Sequence, residues 1–276
     1  MKKKISLIIL ALFSFYYTNR VTEYIKQKDP IMKEIINRKE EYKQDYKNAQ
    51  IIGNNILSGK KGKEIDLEES YQKMKRYGTF NESLITLKET IPVISTNNIY
   101  NKYLVGGIKE KKEIALIFPI KEDQNPQRIL SILKEKNSKG TIFIDGTYLE
   151  NHIKEIKNHR EIEWEILSYQ GEYQKEFLKT SLSYLESITQ KKPKYCYSYK
   201  EEKKILSLCE KLNLHTVKPT VFIQNNLFSE IKEKLDNAIM IAIEDNTNTR
   251  NQLPIVLDYI KEKGYQLVSL EELLKE

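Results

Sequence analysis

The feature that most constrains this chain is an alternation of apolar strands and amphipathic helices throughout its second half. Ile114–Phe118 is a continuous apolar run of strand length, and the segment 126–137 that follows carries its apolar residues at helical spacing. The segment 140–144 is a second apolar run. Further strands are predicted at 164–167, 238–243 and 266–268. Strands that are apolar on both faces and separated by helices are typical of a parallel sheet covered on both sides.

A parallel sheet of this kind either stays open or closes on itself, and the number of strand–helix units favours a closed (β/α) barrel. Helices are predicted at 126–137, 148–158, 175–188, 201–212 and 252–263. In such a barrel the chemistry lies on the loops that follow the C-terminal ends of the strands.

The first residues have the pattern of an export signal. Lys2, Lys3 and Lys4 precede an apolar run, Ile5–Tyr17, which is shorter than the ~20 residues of a membrane span. No small-residue cleavage pattern follows the run. We therefore expect residues 1–20 to be a signal peptide or signal anchor. The chain would then lie outside the cytoplasm, either secreted or membrane-anchored by this segment. A buried N-terminal helix is the alternative.

Residues 21–110 are predicted to form an N-terminal extension. A charged helical segment comes first, and Asp29 followed by Pro30 is typical of a helix start. From about residue 48 to residue 107, short apolar pairs around Gly and Asn turns indicate a small α+β element.

The charge pattern bears on the class of binding partner, and the cysteine content bears on the redox compartment. The formal net charge is +7, but Lys and Glu alternate, as in 109–113 and 230–234, which is typical of solvated helix faces. We therefore expect no nucleic-acid partner; a mild attraction to anionic envelope polymers fits the charge equally well. The only cysteines, Cys196 and Cys209, are either one disulfide of an oxidising compartment or two small buried hydrophobic residues.

Four segments occur in an order that resembles one protein family. The segments are 111–118, 141–146, 191–195 and 253–274. Together they resemble the polysaccharide deacetylases, the NodB-homology domain, over residues 111–276. The resemblance implies a deformed (β/α) barrel, preceded here by the small α+β extension. It also implies hydrolysis of N-acetyl groups on cell-wall or chitin-like sugars, with a divalent metal such as zinc held by one Asp and two His, an Asp base and a His acid.

The residues that should carry this chemistry are replaced. Pro119 and Ile120 stand where the family has its Asp-Asp pair, and neither accepts a proton or binds a metal. Tyr169 and Tyr173 stand at the two His positions, where a phenol is a poor ligand at neutral pH. We therefore expect no metal site and no cofactor.

Two further motifs are also changed. The arginine-proline-proline motif becomes a run that includes Tyr197 and Tyr199 and lacks the Arg, and the His-Asp pair becomes Glu244 and Asp245. No catalytic residue is assigned with these four motifs lost. A rearranged acid–base centre would use Glu244 and Asp245, or other groups that the sequence does not place.

The same loops supply candidate ligand-binding residues. These are Tyr169, Tyr173, Tyr197, Tyr199, Asp145 and Asp245. Aromatic faces stack on sugar rings and phenol hydroxyls reach sugar oxygens. Alternatively, the tyrosines fill the vacated metal pocket and the carboxylates are solvated loop charges.

These observations favour an exported deacetylase-like protein of cell-wall carbohydrate metabolism. We expect a pseudoenzyme without metal-dependent deacetylase activity that serves as a glycan-binding or scaffolding module, with an N-acetylated glycan as its partner. One alternative is an active hydrolase of carbon–nitrogen bonds with a rearranged site. The other is a membrane-tethered module for protein interaction.

Overall fold

The computed structural model describes residues 2–121, 124–167 and 175–276, and in the first helix it describes the side chains of residues 10, 12–18 and 20 onward. The helices are α1 (Lys2–Lys28), α2 (Pro30–Asn37), α3 (Lys39–Tyr42), α4 (Leu67–Lys75), α5 (Gln127–Glu135), α6 (Gly146–Asn151), α7 (Ile153–Asn158), α8 (Lys175–Thr189), α9 (Lys203–Lys211), α10 (Leu227–Lys234), α11 (Thr247–Glu262) and α12 (Leu270–Leu274). The strands are β1 (Gln50–Ile52), β2 (Asn55–Leu57), β3 (Gly62–Ile65), β4 (Leu87–Thr90), β5 (Tyr103–Gly106), β6 (Glu113–Ile120), β7 (Thr141–Ile144), β8 (Glu163–Ile166), β9 (Tyr195–Tyr197), β10 (His215–Val217), β11 (Val221–Ile223), β12 (Ile239–Ile243) and β13 (Gln266–Val268).

The chain divides into two compact units, one made of Met1–Lys47 and Lys61–Ile91 and the other of Asn48–Lys60 and Pro92–Glu276. The smaller unit contains α1 to α4 and the antiparallel pair β3–β4. Its core is a cluster of Ile31, Met32, Ile35, Ile65, Tyr71 and Met74. Helix α2 begins as predicted, because Asp29 accepts a hydrogen bond of 2.9 Å from the backbone N–H of Ile31.

Residues 2–20 of the predicted signal segment form the first part of α1. No helix in the described ranges of the chain combines the length and the apolar character that a membrane span requires. The signal segment stays a prediction.

The larger unit is a deformed (β/α) barrel, which confirms the predicted fold. Its seven strands follow one another in the order β5, β10, β9, β8, β7, β6 and β12. Neighbouring strands are parallel except where β5 and β12 close the ring in antiparallel pairing, with Ile239 opposite Gly106. Strands β2, β11 and β13 pair on the outside of this ring with β5, β12 and β6.

The two faces of the barrel strands carry different apolar clusters. Because side chains alternate along a strand, Ala115 and Ile117 of β6 point to the barrel interior, where Phe143 and Met240 meet them. Leu116, from the opposite face, belongs to the larger cluster that the strands share with α5, α8 and α11. Burying each such large aliphatic side chain contributes about 1.5–3 kcal/mol to the stability of the fold. The barrel is therefore stabilised mainly by the burial of apolar side chains.

Two segments that precede residue 111 lie in this barrel unit, 48–60 and 92–110, although the sequence analysis assigned them to an extension ending at 110. The physical reason is strand pairing. Strand β5 fills the gap between β10 and β12, whose backbone groups would otherwise lack partners. The extension therefore contributes a strand to the barrel.

The helix predicted at 148–158 is two helices, α6 and α7. They are separated at His152, whose φ of −123° is not helical. The strands β5, β9, β10 and β11 were not predicted. Each has only three or four residues and takes its place by pairing with parallel neighbours, which leaves no local pattern.

Candidate functional site

A cavity of about 310 Å³ opens where the C-terminal ends of the barrel strands converge. It is lined by Pro119, Lys121, Leu167, Tyr197, Ser198, Tyr199, Glu202, Ile205, Phe222, Gln224 and Glu244. These residues follow or end β6, β8, β9, β11 and β12, and α9 supplies the remaining wall. The cavity therefore lies where the sequence predicted the chemistry of a barrel to be.

The last residues of β6 present no polar side-chain group to this cavity. Pro119 lines it, and its ring has neither a donor nor an acceptor atom. Ile120 lies on the other face of the strand, fully buried in the cluster under the helices. Neither residue has a group that accepts a proton or binds a metal; that they stand at the family's base and first metal-ligand positions stays a prediction.

Tyr169 and Tyr173, the residues predicted at the two His positions, lie outside the described residues. Within the described ranges, no group of three or more His, Cys, Asp or Glu side chains is placed to hold a metal ion. None of the three histidines, all of them described, lines the cavity. The expected absence of a metal stays a prediction.

The tyrosines of the β9 strand and the loop after it have two different positions. Tyr197 is 5% exposed, and its ring packs 5.5 Å from that of Phe143, so it fills the upper barrel interior. Burial, and then the charge of Glu244, raise the pKa of the Tyr197 hydroxyl above its ordinary value. Tyr199 is 43% exposed at the lip, with its ring 6.5 Å from that of Phe222. Tyr197 thus agrees with the interpretation that these tyrosines fill the pocket, and Tyr199 with the interpretation that they offer an open aromatic face to a ligand.

Asp145 and Asp245 are held by other groups and do not line the cavity. Asp145 is the N-cap of α6 and accepts a hydrogen bond of 2.7 Å from the backbone N–H of Tyr148. The side chain of Asp245 is fully buried, and the guanidinium of Arg250 donates to both of its oxygens at 2.5 and 2.7 Å. Such a two-pronged ion pair is a strong structural contact, and it raises the pKa of Arg250. These geometries give both carboxylates a structural role.

Two other carboxylates do face the cavity, Glu244 and Glu202. Glu244 was noted in the sequence, but Glu202 was not. The nearest cations are Lys121, whose Nζ lies 3.9 Å from Glu244, and Lys200, whose Nζ lies 3.8 Å from Glu202. Both separations exceed the ~2.7–2.9 Å of a charge-assisted hydrogen bond. The cavity therefore combines loosely neutralised acids with aromatic rings.

Sequence reasoning also missed Phe222, Gln224 and Ile205. Phe222 stands in a three-residue strand between two buried apolar residues, so its partial exposure of 39% has no signature in the sequence. Gln224 follows the same strand. Ile205 lies in the first turn of α9, where its spacing on the helix could have indicated only that the face is apolar.

Cys196 and Cys209 form a disulfide, with their Cα atoms 6.3 Å apart. This decides between the two alternatives that the sequence left open. The bond joins β9 to α9, and both elements supply walls of the cavity. It therefore fixes the spacing between the aromatic lip and Glu202.

Comparison with known proteins identifies the fold. No protein-family model matches the chain. The uncharacterized protein YlxY of Bacillus subtilis is 24% identical over 271 residues, which cover 90% of this chain and 85% of that protein. The crystal structure of BA3943, a CE4 family pseudoenzyme from Bacillus anthracis, is 21% identical, with a TM-score of 0.66 over 90% of this chain and 96% of that one.

Two further solved structures share the barrel. A mutant of BA3943, described as having restored enzymatic activity, has a TM-score of 0.67 at 21% identity and covers 90% of this chain and 99% of its own. The Bc1960 peptidoglycan N-acetylglucosamine deacetylase has a TM-score of 0.56 at 18% identity over 63% of this chain and 92% of its own. The chain thus has the fold of the CE4 polysaccharide deacetylases, and the resemblance found in its strand motifs is confirmed.

Proposed function

We propose that this protein is an exported, envelope-facing member of the deacetylase fold that binds a glycan in its barrel cavity without metal-dependent deacetylase activity. The observation that carries the proposal is the end of β6. Pro119 and Ile120, which the family resemblance puts at the positions of the base and a metal ligand, offer neither a proton acceptor nor a metal ligand, while a cavity opens beside Pro119.

The composition of the cavity supports a carbohydrate ligand. Sugar sites combine flat apolar faces with a few oriented polar groups. Tyr199 and Phe222 offer partly exposed rings, and Gln224 and Glu244 offer an amide and a carboxylate. A volume of about 310 Å³ is at the lower end of the range for small-molecule sites, ~300–1000 Å³. It therefore suits a single sugar unit of a chain more than an extended segment.

The cellular location is supported by the disulfide between Cys196 and Cys209, because disulfides persist mainly in oxidising compartments. The names of the relatives agree. BA3943 is described as a pseudoenzyme of the CE4 family, and Bc1960 as a deacetylase of peptidoglycan N-acetylglucosamine. We extend to this chain the loss of activity of BA3943 and the cell-wall setting of Bc1960.

The test is a pair of measurements on the full chain. Calorimetric titration with Zn²⁺ or Co²⁺ should show no tight site, and incubation with N-acetylglucosamine oligomers and metal should release no acetate. Binding of oligomers is then measured by calorimetry for the wild type and for Phe222→Ala, with the half-exposed Phe228→Ala as the matched aromatic control. Acetate release that requires the metal would overturn the pseudoenzyme, and binding that is unchanged in Phe222→Ala would remove the cavity as the site.

A further inference from the structure

The charges of the barrel cavity are arranged asymmetrically. Its two carboxylates, Glu244 and Glu202, have side chains 27% and 30% exposed, whereas their lysine partners Lys121 and Lys200 are 52% and 58% exposed. Both acids line the cavity and are less exposed than their lysine partners; Lys121 also lines it, whereas Lys200 does not. With two carboxylates and one ammonium group, the charged lining is net negative. A negative field faces inward, and its effect is visible on Tyr197, where the charge of Glu244 adds to burial in raising the pKa of the hydroxyl.

In the described part of the chain, neither carboxylate side chain accepts a hydrogen bond from another residue. Among the described residues, no donor reaches Glu244 or Glu202 within hydrogen-bonding distance, and the two lysines remain 3.9 and 3.8 Å away. A partly buried carboxylate is stabilised by a charged hydrogen-bond donor more than by a neutral one. The exposed lysines are flexible and solvated, so a ligand cation can displace them at little cost.

The aromatic wall favours the same kind of ligand. The face of an aromatic ring attracts a cation within ~6 Å of its centroid, and Lys200 already places its Nζ 5.2 Å from the ring of Tyr199. The tilted neighbour Phe222 provides a second apolar face at the lip. Carboxylates beside aromatic faces form the chemical setting in which proteins bind ammonium groups, and the apolar faces also suit the C–H side of a sugar ring.

We propose that the cavity binds a sugar unit whose amine is free and protonated, an unacetylated amino sugar, rather than the N-acetylated form. This rests on the proposed glycan-binding function and specifies the ligand. The ammonium group donates to Glu244 and Glu202, and the sugar ring packs against Tyr199 and Phe222. An N-acetylated sugar can offer these acids only neutral O–H and N–H donors and has no positive charge to pair with them.

The test compares three probes by calorimetry with the full chain at mildly acidic pH, where the sugar amine carries its proton and ordinary glutamates stay ionised. The probes are a short glucosamine oligomer, the N-acetylglucosamine oligomer of the same length, and trilysine. We expect the glucosamine oligomer to bind roughly tenfold or more tightly than the acetylated one, which corresponds to one lost charged hydrogen bond. Glu244→Gln and Glu202→Gln should each lower this affinity by a similar factor. Glu233→Gln, which removes an exposed charge on α10, should leave it unchanged.

Each remaining outcome is decisive. Equal binding of the two sugar oligomers, or binding insensitive to both cavity substitutions, would overturn the preference for a free amine and leave glycan binding in place. Trilysine binding as tight as that of the glucosamine oligomer would show that charge alone is recognised and would overturn the sugar assignment. Failure of both sugar oligomers to bind would remove this inference together with the proposed glycan-binding function.

Discussion

The disulfide between Cys196 and Cys209 should be the largest single contribution to the stability of the barrel that a covalent change can remove. The two residues are 13 positions apart, and both are buried, at 1% and 0% exposure. A crosslink that closes a loop of this size lowers the conformational entropy of the unfolded chain by an amount equivalent to about 3 kcal/mol. Domains of ordinary stability have a total of roughly 5–15 kcal/mol, so the effect is large enough to be decisive.

The assay uses the single tryptophan. Trp164 lies in β8, within the barrel unit, and is 5% exposed, so its fluorescence reports the unfolding of that unit. Urea unfolding curves are recorded for the oxidised protein and for protein unfolded and refolded in reductant, which keeps both sulfur atoms and removes only the crosslink. We expect the free energy of unfolding to fall by about 3 kcal/mol and the urea dependence to steepen, because the reduced unfolded chain exposes more surface.

A second comparison separates the crosslink from the packing of its atoms. The double variant Cys196→Ala and Cys209→Ala loses the crosslink and also the two buried sulfurs, so it should be less stable than the reduced wild type. A difference below ~1 kcal/mol between oxidised and reduced protein would refute the entropic argument. Alkylation of the native protein by iodoacetamide without reductant would show that the bond does not form.

Three further substitutions test individual buried groups by urea unfolding. Burial raises the pKa of the Glu165 carboxyl well above its ordinary value. The protonated carboxyl therefore contributes stability at acidic pH, and this stability is lost as the pH rises through the raised pKa. Relative to the wild type, Glu165→Gln should gain stability as the pH rises from mildly acidic to neutral, and a pH-independent difference between the two proteins would contradict this. Arg250→Ala leaves the buried Asp245 carboxylate unpaired and should lower the free energy of unfolding by about 2–3 kcal/mol, less than for a fully buried pair because Arg250 is 28% exposed. Adding Asp245→Asn should restore part of this stability, and no recovery in the double variant would count against the ion pair. Glu276→Ala removes the acceptor of hydrogen bonds of 2.7 and 2.8 Å from the backbone and hydroxyl of Thr96 and should cost about 2 kcal/mol, whereas an unchanged urea midpoint would show that the contact is not stabilising.

The elements that sequence reasoning found are those whose burial is complete and continuous. Strand β6 and strand β12 are apolar on both faces because one face meets the barrel interior and the other meets the helices, so each is readable without a partner. Strand β10 is different. Its residues His215 and Thr216 are polar, and it is a strand because parallel neighbours on both sides satisfy its backbone. Pairing of that kind is a property of the closed barrel and leaves no local pattern.

The candidate site divides in the same way. The position of Pro119 followed from the sequence because it ends a long apolar run at the C-terminal end of a strand, where barrel chemistry lies. Glu202 and Phe222 come from a helix cap and a three-residue strand. They reach the same cavity only after the barrel closes and the disulfide fixes α9 beside β9. Asp245 could not be separated from a catalytic acid by sequence, because the Arg250 that binds it stands in the next helix and is an ordinary surface residue by type.

Apolar residues at the positions where the resemblance expects metal-binding groups are compatible with an intact barrel, because the barrel and a metal site depend on different atoms. Ile120 belongs to the hydrocarbon cluster beneath the helices, and Pro119 contributes its ring to the cavity wall; neither needs a polar partner. A carboxylate buried at either position without a metal would incur a desolvation cost. Once the metal is no longer bound, apolar residues at the end of β6 are therefore favoured by stability itself. The partly exposed acids Glu244 and Glu202 do not follow from this argument, since the stability of the barrel does not require a carboxylate at either position. The proposed cationic ligand gives them a role.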